Sequence, residues 1–339
     1  MEEFAVSFDA DLSEMIGRGR GLMAVWRNVH RGRLPWHGRH RHPFCEECWW
    51  PWSPGFADLH MLLNDDASWA GRPLLRPLFK AFVYAEHRFS SRFCPLGSHE
   101  ERLTGHLVSE ISSALTVVEP FIQQRGRDLY GQEVELDFVY EDLAAGGRET
   151  YTGADFGIVL FVNLPGMIEP HVRWAVFQAK KVQAGKSTAR IEVKQLVDLI
   201  NWSQDRTEPD AALYCFYDTD AARGLAPVVA NALSVKNAVE AGGNEVPDSY
   251  TAEEADALGK RRPPIDIIET ARCSLSEYLV FSMAVFGEGR PARGLWEAMS
   301  ILRRVPEGRD APPVRRVLVV ALGSTRQQDI GDLRDLLRE

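Results

Sequence analysis

The sequence predicts an α/β protein built on a mixed central sheet flanked by helices. Three observations predict it. Leu103, Leu107, Val108, Ile111 and Leu115 recur at helical spacing. Stretches 134–140, 155–162 and 172–179 then read as strands, separated by turn residues such as Gly146-Gly147 and Leu164-Pro165-Gly166. A helix at about 192–202 and a strand at about 211–217 follow, and the order helix, three strands, helix, strand suits a mixed sheet covered by helices.

In chain order, the segment before residue 95 is rich in Trp and Pro at its middle (Trp49, Trp50, Pro51, Trp52, Pro54) and has weak periodicity, with a short helix expected near 73–89. From Ser98 the pattern sharpens. Ser98 and Glu101 have the spacing of a capping box, which would start the helix there. The three strands come next; 134–140 alternates, whereas the later two are more continuously apolar. Beyond Asp218 we expect helix and a long polar loop over 221–263, helices over 274–286 and 292–303, a buried strand over 314–321 and a short closing helix.

The bulk numbers narrow the class. A chain of 339 residues with 45% hydrophobic and 26% charged content is an ordinary globular composition. The net charge of −9 speaks against a broadly basic nucleic-acid binder, but a net sum averages over the surface. Locally, Arg18, Arg20, Arg27, Arg31, Arg33, Arg39 and Arg41 occur in a stretch without acidic residues, together with His30, His37, His40 and His42. Such an arm suits a polyanion partner, and it suits equally well a solvated N-terminal segment. The opening Met1-Glu2-Glu3 has no secretory pattern, and the longest apolar run, 278–286, is far short of the ~20 residues of a membrane span. Five cysteines at irregular spacing do not form a disulfide framework, which points to the cytoplasm.

The chemistry concentrates at two strand ends. Gly153-Ala154-Asp155 opens one strand and Phe177-Gln178-Ala179-Lys180 ends the next. Strand side chains alternate, so Gln178 and Lys180 share a face, and a hairpin-like connection would set Asp155 beside them. Hydrolysis of a phosphodiester needs those residue types. Asp155 offers a carboxylate and Gln178 an amide carbonyl to a hard cation such as Mg²⁺ or Mn²⁺. Lys180 offers a compact positive charge to the phosphate. A fourth ligand would come from the preceding helix, either Glu101 in its first turn or Glu110 lower down. Glu101 also reads as a capping carboxylate and Glu110 as a solvated charge.

Taken together, Glu101-Arg102-Leu103-Thr104, Gly153-Ala154-Asp155-Phe156-Gly157 and Val176-Phe177-Gln178-Ala179-Lys180-Lys181 resemble the PD-(D/E)xK nuclease superfamily. The Gln-x-Lys variants of Mrr-type restriction enzymes and related prokaryotic defence nucleases resemble them most. The helix carrying Gln195-Leu196 and the strand Tyr214-Cys215-Phe216-Tyr217 match the continuation of that core, and the resemblance covers about 98–220. It implies a restriction-endonuclease-like sheet and a Mg²⁺-dependent endonuclease, acting on DNA sooner than RNA, in antiviral or foreign-DNA defence. Asp155, Gln178 and Glu101 would hold the metal and Lys180 would assist catalysis. Ala154 stands where the family has proline, and Gln178 replaces an acidic ligand, which weakens metal binding and keeps open an inactive module that binds nucleic acid or a partner. The expected organisation is an N-terminal basic, Trp-rich region over 1–95 and a nuclease-like domain over 96–339. A homodimer or a defence-system partner would suit double-strand cleavage.

Two weaker signals complete the reading. Cys45-Glu46-Glu47-Cys48 has the spacing of half a zinc site, with His37, His40, His42 and Cys94 as completing candidates; it reads better as ordinary thiols beside a Trp-rich patch. Trp49, Trp50 and Trp52 could stack on bases or pack on the main domain. No phosphate-loop or dinucleotide glycine pattern is present.

Overall fold

The computed structural model describes residues 72–143, 150–182, 186–204, 211–219, 226–271, 273–285, 287–305 and 311–324. The basic arm, the Trp cluster, Cys45 and Cys48 lie outside them, as do the Gly146-Gly147 turn and the closing helix.

Two helices lead into the sheet. Helix α1 (Leu75–Arg92) packs along α2 (Glu100–Tyr130), the 31-residue helix expected from the Leu103–Leu115 stripe. The start of α2 differs from expectation. Its N-cap is His99, with no side-chain cap bond, so Ser98 and Glu101 do not form a capping box. Instead the Ser98 carbonyl accepts a hydrogen bond from Lys181 Nζ at 3.1 Å, which ties the entry of α2 to the sheet. The Thr104 hydroxyl, 3.1 Å from the Tyr217 hydroxyl, adds a second tie.

The strands are β1 (Val134–Asp142), β2 (Ala154–Asn163), β3 (His171–Val182), β4 (Thr188–Arg190), β5 (Ala212–Asp218), β6 (Val228–Asn231), β7 (Pro264–Asp266), β8 (Cys273–Ser274), β9 (Arg290–Pro291) and β10 (Val314–Ser324). The longer of the remaining helices among the described residues are α3 (Val193–Gln204), α4 (Ala232–Ala241), α5 (Ala252–Lys260) and α6 (Leu295–Arg303). The main sheet runs β1-β10-β2-β3-β5-β6-β8, with β4, β7 and β9 attached at the side. It is mixed: β2 is antiparallel to β3, while β3 is parallel to β5. The α/β class and the mixed, helix-covered sheet are therefore as expected.

The connection between β1 and β2 is not. β1 does not pair with β2, because β10 lies between them, antiparallel to β1 and parallel to β2. The sequence of β10, Val317-Leu318-Val319-Val320-Ala321-Leu322, is apolar on both faces, as a central strand covered on both sides requires, whereas β1 keeps charges along a sheet edge. Segment 274–286 also departs from regular helix: a single α-turn, Leu275–Glu277, runs into a π-helix over Tyr278–Val285.

Each sheet face has its own core. One joins α1, α2 and the π-helix to Phe156, Ile158, Leu160, Phe177 and Ala179. The other joins α3, α4 and α6 to Val159, Phe161, Trp174, Val176, Tyr214 and Phe216. Leu75, Leu78, Phe79, Phe82 and Phe89 of α1 are buried in the first core. Helix α1, which falls within the expected N-terminal region, thus shares a core with α2 and the sheet. None of the helices formed by the described residues is long and apolar enough to cross a membrane.

Candidate active site

β2 and β3 pair through Phe156↔Phe177 and Gly157↔Val176, so the same register sets Asp155 opposite Gln178 at the ladder's end. Phe156, Phe177 and Ala179 face the α2 core, which turns Asp155, Gln178 and Lys180 to the α3 side. The contacts follow. Asp155 Oδ2 accepts hydrogen bonds from Gln178 Nε2 at 2.6 Å and from the Ala179 backbone N–H at 2.8 Å. Lys180 Nζ donates to Gln195 Oε1 on α3 at 2.9 Å. The structure thus brings together the three residues on which the sequence argument centred.

The fourth residue is different. Glu100, one position before the expected Glu101, reaches this corner. Its Oε1 accepts from the Lys181 backbone N–H at 2.9 Å, and its Oε2 lies 3.5 Å from Lys180 Nζ. Glu101 points instead at two arginines of β10, 3.3 Å from Arg315 Nη1 and 3.5 Å from Arg316 Nη2. Successive helical residues diverge by about 100°, so only one of these two first-turn neighbours can face the corner, and it is Glu100. Glu110 is held by Arg88 Nε at 2.6 Å on the α1–α2 interface, as a structural ion pair.

Two further residues support the corner. Gln195 holds the Lys180 ammonium, and Gly153 lets Gln195 approach. Gly153 has φ +74°, and a Cβ there would stand 3.1 Å from both Cβ and the carbonyl oxygen of Gln195. On the other side, β10 runs parallel to β2 with Val314↔Ala154 and Arg316↔Phe156 paired, which puts Arg315 level with Asp155. The sequence held no local signal for Gln195, Gly153 and Arg315 acting together, since their meeting is tertiary. A glycine two residues before the candidate aspartate, at the opening of its strand, is the nearest hint.

The electrostatics suit a cation. Burial raises the Asp155 carboxyl to about 6, against the lowering pull of the Ala179 N–H and of Lys180 and with the repulsion of Glu100. Gln178 is almost fully buried, yet among the described residues its Oε1 has no hydrogen-bond partner. Rotating the amide would not satisfy it, because that would press an acceptor against Asp155 Oδ2 at 2.6 Å. An unpaired buried carbonyl beside a carboxylate whose bonds both fall on Oδ2 leaves two hard oxygens free for a ligand. With Glu100 they offer two carboxylates and one amide oxygen. That set fits a single hard divalent cation and lacks the charge of a three-carboxylate site. Among the described residues no three His, Cys, Asp or Glu side chains converge on a metal position.

The zinc candidates gain nothing here. Cys45 and Cys48 fall outside the described residues. Cys94 is sealed in the α1–α2 core, where burial and then Asp218 push its thiol up to about 12, so it would be a poor thiolate ligand.

A scan against protein-family models, a search of curated proteins and a search of solved structures each return no match for this chain. The arrangement of the site therefore carries the functional reading.

Proposed function

We propose that this protein is a metal-dependent nuclease that hydrolyses phosphodiester bonds, with DNA as the preferred polymer. The observation that carries the reading is the cross-strand meeting of Asp155, Gln178 and Lys180, with the Gln178 carbonyl left unpaired beside the carboxylate. Asp155, Gln178 Oε1 and Glu100 would hold Mg²⁺ or Mn²⁺, which when bound supplies Lewis acidity toward a phosphate oxygen. Asp155, raised to about 6, is ionised at neutral pH and ready to take a cation. Lys180 keeps its ammonium at the same corner through Gln195, a preorganised charge for the phosphate as negative charge grows on it. A role in defence against foreign DNA follows from the sequence resemblance alone.

One observation favours a second reading, a nuclease-like module that binds nucleic acid or a partner protein without cutting. Gln178 brings no charge, so the site has one carboxylate fewer than the family pattern. The two readings separate in a single experiment. Purified protein is incubated with supercoiled plasmid, single-stranded DNA and RNA in Mg²⁺, Mn²⁺ or EDTA, alongside Lys180→Ala. The nuclease reading expects cleavage that needs both the metal and Lys180. Cleavage that persists in Lys180→Ala would remove the assignment, and salt-sensitive binding without turnover in either metal would establish the second reading.

A further inference from the structure

The geometry points to Arg315 as a phosphate-binding residue of the same site, held in reserve by Glu101 until a nucleic-acid backbone displaces that carboxylate. This inference rests on the nuclease reading and adds to it the group that grips the polymer.

Three observations carry it. First, β10 delivers Arg315 to the site. The Val314↔Ala154 and Arg316↔Phe156 pairs make Arg315 the strand neighbour of Asp155, near enough for its charge to lower the Asp155 carboxyl's affinity for protons. A phosphate beside Asp155 and Lys180 would therefore meet Arg315 on the β10 flank, with Lys180 on the β3 flank.

Second, Arg315 is incompletely engaged. Among the described residues its guanidinium has one carboxylate partner, Glu101, at 3.3 Å, and that carboxylate is shared with Arg316 at 3.5 Å. Arg316 has other partners: it donates to the Glu101 backbone carbonyl at 2.9 Å, and Asp142 lies 3.7 Å from its Nε. Arg316 is thus fixed in place, and Arg315 is the guanidinium with donors to spare. A planar guanidinium has five N–H donors and matches phosphate oxygens in pairs.

Third, the restraint is weak enough to exchange. The Glu101 side chain is 53% exposed, against 18% for Arg315, so the carboxylate end of the pair is open to water and its attraction is screened there. A phosphodiester bound to Arg315 would gain paired hydrogen bonds, while the released Glu101 carboxylate returns to water at little cost. Glu101 would then act against binding, by competing for the cation that a polyanion needs.

The test is binding of a short fluorescein-labelled DNA duplex to the full chain in EDTA, followed by anisotropy across a salt series. Arg315→Ala is expected to weaken binding about tenfold and to flatten the slope of log affinity against log salt by about one. Arg315→Lys keeps the charge but loses the fork, so it should fall between Arg315→Ala and wild type. Glu101→Gln should tighten binding a few-fold. It leaves Arg315 in place, so it decides the matter even where Arg315→Ala folds poorly. Wild-type binding with the same affinity and slope in Arg315→Ala would overturn the inference and leave the nuclease reading intact. Weaker binding in Glu101→Gln would overturn the competing role given to that carboxylate. No binding at low salt and no cleavage in metal would remove the inference and the nuclease reading together.

Discussion

Asp155 and Glu86 are both raised by burial, to about 6 and about 8, and they lie among different neighbours. Glu86 is on α1, inside the core. Its carboxyl accepts from the Ser276 backbone N–H at 2.5 Å and from the Ser276 hydroxyl at 2.6 Å, and the Ser276 hydroxyl touches that of Ser274 at 3.0 Å. Both carboxylate oxygens are used to anchor the turn that leads into the π-helix. Asp155 has both hydrogen bonds on one oxygen, a lysine and an arginine within electrostatic reach, and an unpaired amide oxygen next to it. A raised carboxyl is therefore no sign of function by itself. What separates the two is unused bonding capacity beside mobile or exchangeable charge.

The comparison is most sharply tested by activity. Asp155→Asn and Lys180→Ala should each cut metal-dependent cleavage by about 10²–10³-fold or more, while Glu86→Gln leaves it unchanged, in initial rates on plasmid. Loss of cleavage in Glu86→Gln with an intact fold would collapse the distinction.

The second test is stability against pH. Glu86 binds its proton more tightly in the folded chain, about 8 against an ordinary 4.5. Between those values the unfolded chain gives up the proton first, so folding stability falls as pH rises from 4.5 to 8, and then levels off. By pH 7 the loss is on the order of 3 kcal/mol. Glu86→Gln keeps an acceptor for the Ser276 N–H and offers a donor to its hydroxyl, so denaturant titrations should show that slope removed and the fold strengthened near pH 7. An unchanged slope would mean that Glu86 is not the residue responsible. Asp155 acts in the same direction over a shorter window, losing stability between 3.8 and about 6. A bound cation should reverse it, so Mg²⁺ affinity measured by calorimetry should weaken about tenfold per pH unit below 6.

A smaller effect is expected at Gly153. Gly153→Ala combines a left-handed φ with a close approach to Gln195, and should cost about 1–3 kcal/mol in thermal or urea unfolding. Because Gln195 holds Lys180, kcat should fall several-fold as well, with less change in KM. A drop in stability with kcat untouched would show that Gln195 does not position the lysine.

Much of this was legible in the sequence wherever the signal is local. The strand bodies follow from alternation and apolar runs, and the meeting of Asp155 with Gln178 follows from a two-residue period and one antiparallel pairing. What the sequence hid is non-local or depends on phase. The insertion of β10 between β1 and β2 joins segments far apart in the chain, and nothing within 314–321 names its neighbours. The exchange of Glu101 for Glu100 is a matter of phase. The Ser98 and Glu101 spacing suggested a cap, but the N-cap position falls at His99 with no side-chain cap bond, and of the two first-turn glutamates it is Glu100 that faces the corner. The π-helix escaped for a similar reason, since Tyr278 to Val285 is buried nearly throughout and its apolar residues carry no period.

The smallest effect separates the remaining helical glutamates. Glu110 lies on α2 with Glu100 but three turns further along, and its carboxylate is committed to Arg88 at 2.6 Å. Arg88 also lies over the Tyr84 ring and donates to its hydroxyl at 3.2 Å, so the guanidinium keeps favourable contacts when the carboxylate is removed. Glu110→Gln should therefore cost only about 1 kcal/mol in urea unfolding and leave cleavage at the wild-type rate. Glu100→Gln should do the reverse, with little change in unfolding and a loss of metal-dependent rate, because Glu100 faces Lys180 and the oxygens offered to the cation. A rate loss in Glu110→Gln that exceeds the one in Glu100→Gln would move the acidic ligand down the helix and break the assignment of the corner.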